Sequence, residues 1–251
     1  MLLPCFDESG RIGAVLERML EVRDLVDEVV VVDDGSRDGS QDEVRASPMP
    51  VTLLEHGSRR GLGEVIRTFY RHALAKGFEV VVVMAGNGKD DPRQLRWLLR
   101  PIFAGEADYV QGSRYAAGGA SERLPWHRAL AIRAFTRAVA RVSGRRTTDA
   151  SNGFRAYRSA ILRDPRIDWE APWLGVSYQV EIYLLLAASR LGYRICEVPV
   201  TKIYPRDGKP YSKARALDWW SMAKPIVWCA LHLDRPGRSD RRGRSRRERP
   251  R

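Results

Sequence analysis

Cysteine is scarce. Cys5, Cys196 and Cys229 are the only three in 251 residues, too few and too scattered to frame a disulfide-stabilised fold. They are read as free thiols of a reducing compartment. The four histidines, His56, His72, His127 and His232, share no ligand spacing, which argues against a structural zinc site. Long apolar runs are missing too. Met1-Leu2-Leu3 passes at once into Pro4 and charged residues, so no secretory leader is expected. The longest apolar-leaning stretch, Leu217 to Leu233, is 17 residues and carries Asp218, Lys224 and Pro225, a poor membrane span. Its tryptophans, Trp219, Trp220 and Trp228, suit either a helix lying at a bilayer interface or a terminal helix packed on the domain.

Positive charge, by contrast, is abundant: 43 Lys+Arg face 31 Asp+Glu, a formal net charge of +12. It is uneven. Residues 234–251 hold nine arginines against Asp234, Asp240 and Glu248, with almost nothing apolar to fold around. We therefore expect one domain over residues 1–233 and a disordered arginine-rich tail over 234–251. Such a tail can meet nucleic acid or anionic lipid, but a charge run is most often a solvated end. Hydrophobic residues at 44% and charged ones at 29% otherwise describe an ordinary globular chain with room for one substantial core.

Apolar runs alternate with helical patterns. Strands are predicted at Glu28 to Val32, Val51 to Glu55, Glu79 to Met84, Ala107 to Gln111 and Arg194 to Thr201. Helices are predicted over Gly10 to Arg23 and Gly61 to Lys76, and from Pro92 with Asp91 as its N-cap. The alternation predicts an α/β fold with a mainly parallel sheet flanked by helices. In such sheets ligands bind beyond the carboxyl ends of the strands, which singles out three loops: Pro4 to Ser9, Asp33 to Asp42 and Ala85 to Asp91. Only Met1-Leu2-Leu3 precede the first of these, so its strand is either vestigial or begins further upstream. In the second, Asp33 and Asp34 stand at the mouth of a strand. They read either as acceptors for a base or ribose, or as turn and capping residues.

Several short segments carry a resemblance. PCFDES, VVDDGSRDGS, GLGEVIRTFYRHAL and QGSRY resemble, in order, motifs of the family 2 glycosyltransferases, inverting enzymes with a nucleotide-binding GT-A fold. SNGFRAYR, YQVEI and EVPVT followed by RDGKPYSK resemble the dolichyl-phosphate mannose synthase-like branch, which glycosylates polyprenyl phosphates. The resemblance runs over nearly all of residues 4 to 213. It implies a GT-A-like domain with a nucleotide pocket lined by Pro4, Phe6, Glu8, Asp33, Asp34, Gly61, Gly63, Asn87 and Lys89. Phe6 stands where the family has tyrosine, and Asp7 where it has asparagine.

The departure from the pattern lies at Met84 to Pro92. Relatives carry two separated aspartates there, a DxD motif that binds Mg²⁺ or Mn²⁺ against the sugar-nucleotide diphosphate. Here those positions are Ala85 and Asn87, and a hard divalent cation wants anionic oxygens. Three readings stay open. Lys89 and backbone amides freed by Gly86 and Gly88 hold the diphosphate; or Asp90 and Asp91 hold a displaced metal; or the protein no longer catalyses.

For the acceptor phosphate the resemblance implies Arg114, Arg155, Arg206 and Lys213, with Arg128 and Arg133 filling out a basic set. Asp149 is the candidate base should the acceptor be a hydroxyl, and Lys89 and Asp91 complete the catalytic candidates. The expected function is transfer of a hexose from a GDP- or UDP-linked sugar to a polyprenyl phosphate, by a peripheral protein at the cytoplasmic face of the membrane. The rivals are a soluble glycosyltransferase with a hydroxyl acceptor and an inactive glycosyltransferase-like binding protein. Nucleic acid is not an expected partner.

Overall fold

The computed structural model describes residues 1–169, 171, 174, 178–204 and 216–232, with 216–221 and 232 described as helix backbone only. In chain order the elements are β1 (Leu2–Cys5), α1 (Ile12–Met19), β2 (Val29–Asp33), α2 (Ser40–Arg45), β3 (Val51–Glu55), α3 (Leu62–Ala75), β4 (Val80–Val83), α4 (Leu95–Phe103) and β5 (Tyr109–Ser113). There follow β6 (Ala120–Glu122), α5 (Trp126–Ser143), β7 (Arg155–Arg158), α6 (Gln179–Arg190), β8 (Ile195–Pro199), β9 (Thr201–Ile203) and α7 (Ala216–His232). Short 3₁₀ turns at Leu20–Leu25 and Pro92–Gln94 close α1 and open α4. Residues 206, 213 and the 234–251 tail lie outside the described residues, as does the expected domain boundary at 233.

Seven strands form one sheet in the order β3-β2-β1-β4-β7-β5-β8, and β6 and β9 pair in a small second sheet. Every neighbouring pair in the large sheet is parallel except those of β7, which runs antiparallel between β4 and β5. The period-2 pattern of a strand sorts its side chains to two faces. Val30 and Val32 join the core beneath α3, α5 and α6, while Val29 and Val31 join the core beneath α1 and α4. A strand buried on both faces has no polar alternation, which is why EVVVVD reads as a continuous apolar run.

The first strand is short but paired on both sides. Leu2 to Cys5 register with Val30 to Asp33 on one side, and Leu2 meets Val83 on the other. β7 was not foreseen as a strand. Its residues, Arg-Ala-Tyr-Arg, include a fully buried arginine, and their pairing sets Arg155 beside both Val83 and Gln111.

The terminal helix α7 packs on α5 and α6. Its Cys229 is fully buried, and Trp228 meets Tyr183 edge-on at 5.6 Å. Val227 and Leu231 on the same helix are 57% and 74% exposed. The helix is thus docked on the domain along one side and open along another, while the side chains of Trp219 and Trp220 lie outside the described residues.

Gly35, where β2 gives way to its loop, has φ +79, and a Cβ there would lie 2.7 Å from the Ser58 backbone. Only glycine meets both demands. Gly35→Ala is expected to cost about 2 kcal/mol or more, from the left-handed backbone and the contact together, read as a lowered urea midpoint with an unchanged m-value.

Candidate active site

The carboxyl ends of β1, β2, β4, β5 and β8 and the start of the antiparallel β7 gather at one end of the sheet. On its β1–β2 side the two aspartates are turned inward. Asp33, 1% exposed, accepts from the amides of Gly35 and Ser36, both at 3.0 Å, from Gln41 Nε2 at 2.7 Å and from the Ser36 hydroxyl. Asp34 accepts from the amides of Arg60 at 2.8 Å and Gly61 at 2.7 Å and pairs with His56 Nδ1 at 3.0 Å. Both carboxylates therefore brace loops: Asp33 its own turn, Asp34 the approach to α3. Gly61 stands at the N-cap of α3 with φ +94, and Gly63 is buried in its first turn.

The β1 loop lies alongside. Glu8 is buried, its amide donating to Ser40 Oγ at 2.8 Å and its carboxylate paired with Arg11 at 3.1 Å. Phe6 carries the Arg59 guanidinium 4.4 Å above its ring. Pro4 sits within β1, and its carbonyl closes against Gly86: a Cβ on that glycine would lie 2.7 Å from the Pro4 oxygen.

Beyond Gly86 the chain builds a buried charged cluster. Asn87 Oδ1 accepts from the Lys89 amide at 3.4 Å, and Gly88 turns with φ +74. Asp90 is 1% exposed and pairs with Lys202 Nζ at 3.1 Å, and that same ammonium donates to Asn152 Oδ1 at 2.9 Å. The Ile203 amide donates to the Lys89 carbonyl at 2.9 Å, fixing β9 against the loop. Lys89 is itself buried, with its ammonium 5.6 Å from the centre of the Tyr204 ring. Burial above all, and then the charge of Lys202, pull its pKa down to about 7, against the opposing pull of Asp90 and Glu8. Asp91 stands apart from the cluster. It caps the 3₁₀ turn through the Arg93 amide at 3.0 Å and grips the Arg93 guanidinium with both oxygens.

These donors do not fit a divalent cation. The family positions hold a methyl group and a neutral amide, Asp90 is already paired with an ammonium, and Asp91 is committed to Arg93. Among the described residues no three His, Cys, Asp or Glu side chains gather in a metal-holding group. A hard cation would meet two lysines before it met two carboxylates.

A second cation is built beyond β5. Arg114, 5% exposed, is held by Asp149 through Nε at 2.6 Å and Nη2 at 2.8 Å. Its Nη2 also donates to Ser151 Oγ and its Nη1 to the Tyr204 hydroxyl, both at 2.8 Å. Burial works against the Arg114 charge, but the Asp149 bonds outweigh it and raise the pKa. Asp149 is fully buried, so its carboxylate faces Arg114. Glu197 on β8 clamps the segment before it, accepting from the Thr148 amide at 2.9 Å and the Thr147 hydroxyl at 2.5 Å. Tyr204 touches both cations, Arg114 with its hydroxyl and Lys89 with its ring face.

Arg155 lies elsewhere. At 1% exposure it donates to the Tyr109 hydroxyl at 3.0 Å and to the carbonyls of Glu181 and Asn152, under the stacked rings of Tyr109 and Tyr157. In this arrangement its guanidinium ties the sheet to α6. Arg133 places its guanidinium 5.5 Å from the Tyr115 ring, next along from Arg114. Lys202 and Tyr204 were missed in the sequence because EVPVT drew attention to its apolar residues. A lysine in a run that otherwise reads as a strand was the available signal.

Two features of this geometry bear on its kinship: a mainly parallel sheet with its loops at the carboxyl ends, and an antiparallel strand entered through SNGFR. A model of the glycosyl transferase family 2 domain matches residues 1–164. The chain belongs to glycosyl transferase family 2. It is 35% identical to an undecaprenyl-phosphate mannosyltransferase of Micrococcus luteus, over 80% of this chain and 81% of that protein. To a polyprenol monophosphomannose synthase of Mycolicibacterium smegmatis it is 31% identical, over 80% of this chain and 76% of the relative. Among solved structures, glucosyl-3-phosphoglycerate synthase of Mycobacterium tuberculosis with Mn²⁺ and UDP-glucose superimposes with a TM-score of 0.64 at 21% identity, over 92% of this chain and 76% of that one. That likeness establishes the GT-A fold. The protein is a family 2 glycosyltransferase with Ala85 and Asn87 in the loop after β4.

Removing one partner of a buried ion pair leaves the other charge uncompensated. Asp149→Asn is therefore expected to lower the unfolding free energy by about 3 kcal/mol, measured by urea denaturation. The Lys89 site predicts a pH signature. Its pKa of about 7 lies below the ordinary 10.5, so between those values the unfolded chain binds more protons than the folded one, and stability rises with pH. In Lys89→Met that contribution is absent. Unfolding of both proteins at pH 7 and near pH 10 should show the wild type gaining on the variant as pH rises.

Proposed function

We propose that this glycosyltransferase moves a hexose, with inversion, from a GDP- or UDP-linked sugar to a polyprenyl phosphate at the cytoplasmic face of the membrane. Residues 1–233 form the catalytic domain and 234–251 an arginine-rich tail. The observation that carries the reading is a pair of buried cationic stations bridged by Tyr204: Lys89 in the loop after β4 and Arg114 just past β5. The named activities of the Micrococcus and Mycolicibacterium relatives, both acting on polyprenyl acceptors, support the choice of acceptor.

In an inverting transfer the acceptor oxygen attacks the anomeric carbon in line as the nucleoside diphosphate departs. Charge develops on the leaving diphosphate, so a cation fixed there in advance is the main catalytic contribution. Lys89 supplies it, and an arriving diphosphate favours the protonated lysine. Gly86 and Gly88 let backbone amides approach the same oxygens. The nucleoside packs in the pocket walled by Pro4, Phe6, Glu8, the braced Asp33 and Asp34 loops, Gly61, Gly63 and Asn87. A phosphate acceptor is ionised at neutral pH and needs no general base. Asp149 accordingly serves as the counter-ion that orients Arg114 toward the acceptor phosphate; Arg206 and Lys213, outside the described residues, are the further acceptor-phosphate candidates that the family resemblance implies. Arg155 supports it from the core.

The reading is tested by calorimetric titration of GDP and UDP into the protein, once in EDTA and once with Mn²⁺. Binding in EDTA that falls at least tenfold in Lys89→Ala is expected, and the tighter nucleotide names the base. Binding that appears only with Mn²⁺ would reassign the loop to a metal at Asp90 and Asp91. Absence of binding in both buffers would leave a glycosyltransferase-like binding protein.

A further inference from the structure

Helix α5 carries an exposed face that meets the site only at Arg133. Over its 18 residues, about 27 Å, Ile132, Thr136, Val139 and Ser143 turn into the core. On the opposite side stand Trp126, Leu130, Arg133, Arg137 and Arg141. At about 100° per residue these five fall within an arc of roughly 80°. Trp126 is 79% exposed and Leu130 57%, and all three arginines are exposed. A water-facing helix has no reason to spend its first two turns on a tryptophan and a leucine aimed outward. Nor does an apolar docking groove call for three arginines in line behind them.

We propose that this face of α5 lies on an anionic lipid bilayer. Trp126 and Leu130 enter the interface where an indole is both apolar and hydrogen-bonding. Arg133, Arg137 and Arg141 meet lipid phosphates, with their stems along the surface. A polyanion such as nucleic acid offers the arginines a partner but gives the two apolar side chains nothing to enter, so the pair of chemistries favours a membrane. The face is joined to the site. Arg133 covers the ring of Tyr115, whose chain neighbour is Arg114, so a docked α5 turns the acceptor side of the site toward the lipid. The inference deepens the lipid-acceptor reading and rests on it for what the membrane delivers.

The test is flotation of the full-length protein with vesicles of pure phosphatidylcholine and of phosphatidylcholine with about one third phosphatidylglycerol. Neither contains polyprenyl phosphate or nucleotide, so the outcome does not depend on transferase activity. The wild type is expected to float with the anionic vesicles far more than with the neutral ones. Neutralising two surface arginines in Arg137→Gln/Arg141→Gln should weaken that partition by about 30-fold. Trp126→Ser/Leu130→Ser should weaken it by about tenfold and leave a remainder that salt abolishes. The tail is common to all these proteins, so the differences belong to α5, and unchanged circular dichroism confirms the fold. Variants that float like the wild type, or equal flotation on both vesicles, would overturn the proposal. So would variants that keep vesicle binding but lose affinity for a duplex oligonucleotide. Transfer to detergent-solubilised polyprenyl phosphate separates the two readings: it should survive in every α5 variant, and its absence in the wild type would count against the activity and leave the docking face standing.

Discussion

The pairing of Lys202 with Asp90 is the contact on which the active end of this protein depends. Both groups are almost wholly buried, where an isolated charge would be prohibitive and a matched pair with a further hydrogen bond is tolerable. The ammonium joins three parts of the chain: from β9 it reaches the loop after β4 through Asp90 and the segment before β7 through Asn152. Sheet pairing alone would leave that loop attached at one end. With the ion pair in place, the backbone around Lys89 is fixed from both sides, and the lysine is held in a dry environment where its charge is costly and therefore strongly responsive to an anion.

The second cation follows the same logic with a different outcome. Arg114 keeps its charge because Asp149 grips it along two bonds, the geometry for which a guanidinium is suited. Asp149 is in turn placed by Glu197, which reaches across from the edge strand β8 to hold the residues before it. Arg114 is thus positioned from the far edge of the sheet and Lys89 from β9, with Tyr204 just past β9 touching both. A chain of net charge +12 has cations to spare on its surface; what distinguishes these two is that each is surrounded by groups that fix where it points.

Much of the fold was readable because valine runs and helical spacing state it directly. Val29 to Val32, Val51 to Glu55 and Val80 to Val83 were strands on sight, and α1 and α3 carry their apolar residues on one face. β7 was not readable, since its buried arginine looks like a surface residue to any pattern of hydrophobicity. For α5, an arginine every third or fourth position obscures the inward row of Ile132 and Val139. The site divides similarly. The altered loop at Ala85 and Asn87 was plain from sequence, as was the candidacy of Lys89. That Asp33, Asp34 and Asp149 spend their oxygens on amides and on Arg114, and that Arg155 is a core residue, depends on partners distant along the chain. Lys202 is the clearest case: 113 residues separate it from Lys89, and only the β9 crossing brings them together.

The close approach of Gly86 to Pro4 and the lysines beyond it bear on how this loop can change by descent. Placing aspartate at position 85 or 87 alone would add a carboxylate to a loop that already holds the buried Lys89, where an ammonium competes with a hydrated cation for it. Removing Lys202 first would strand Asp90 in the interior. Each single step away from the present arrangement loses stability or gains nothing for a metal, so the lysine pair and the residues at 85 and 87 act as one coupled unit.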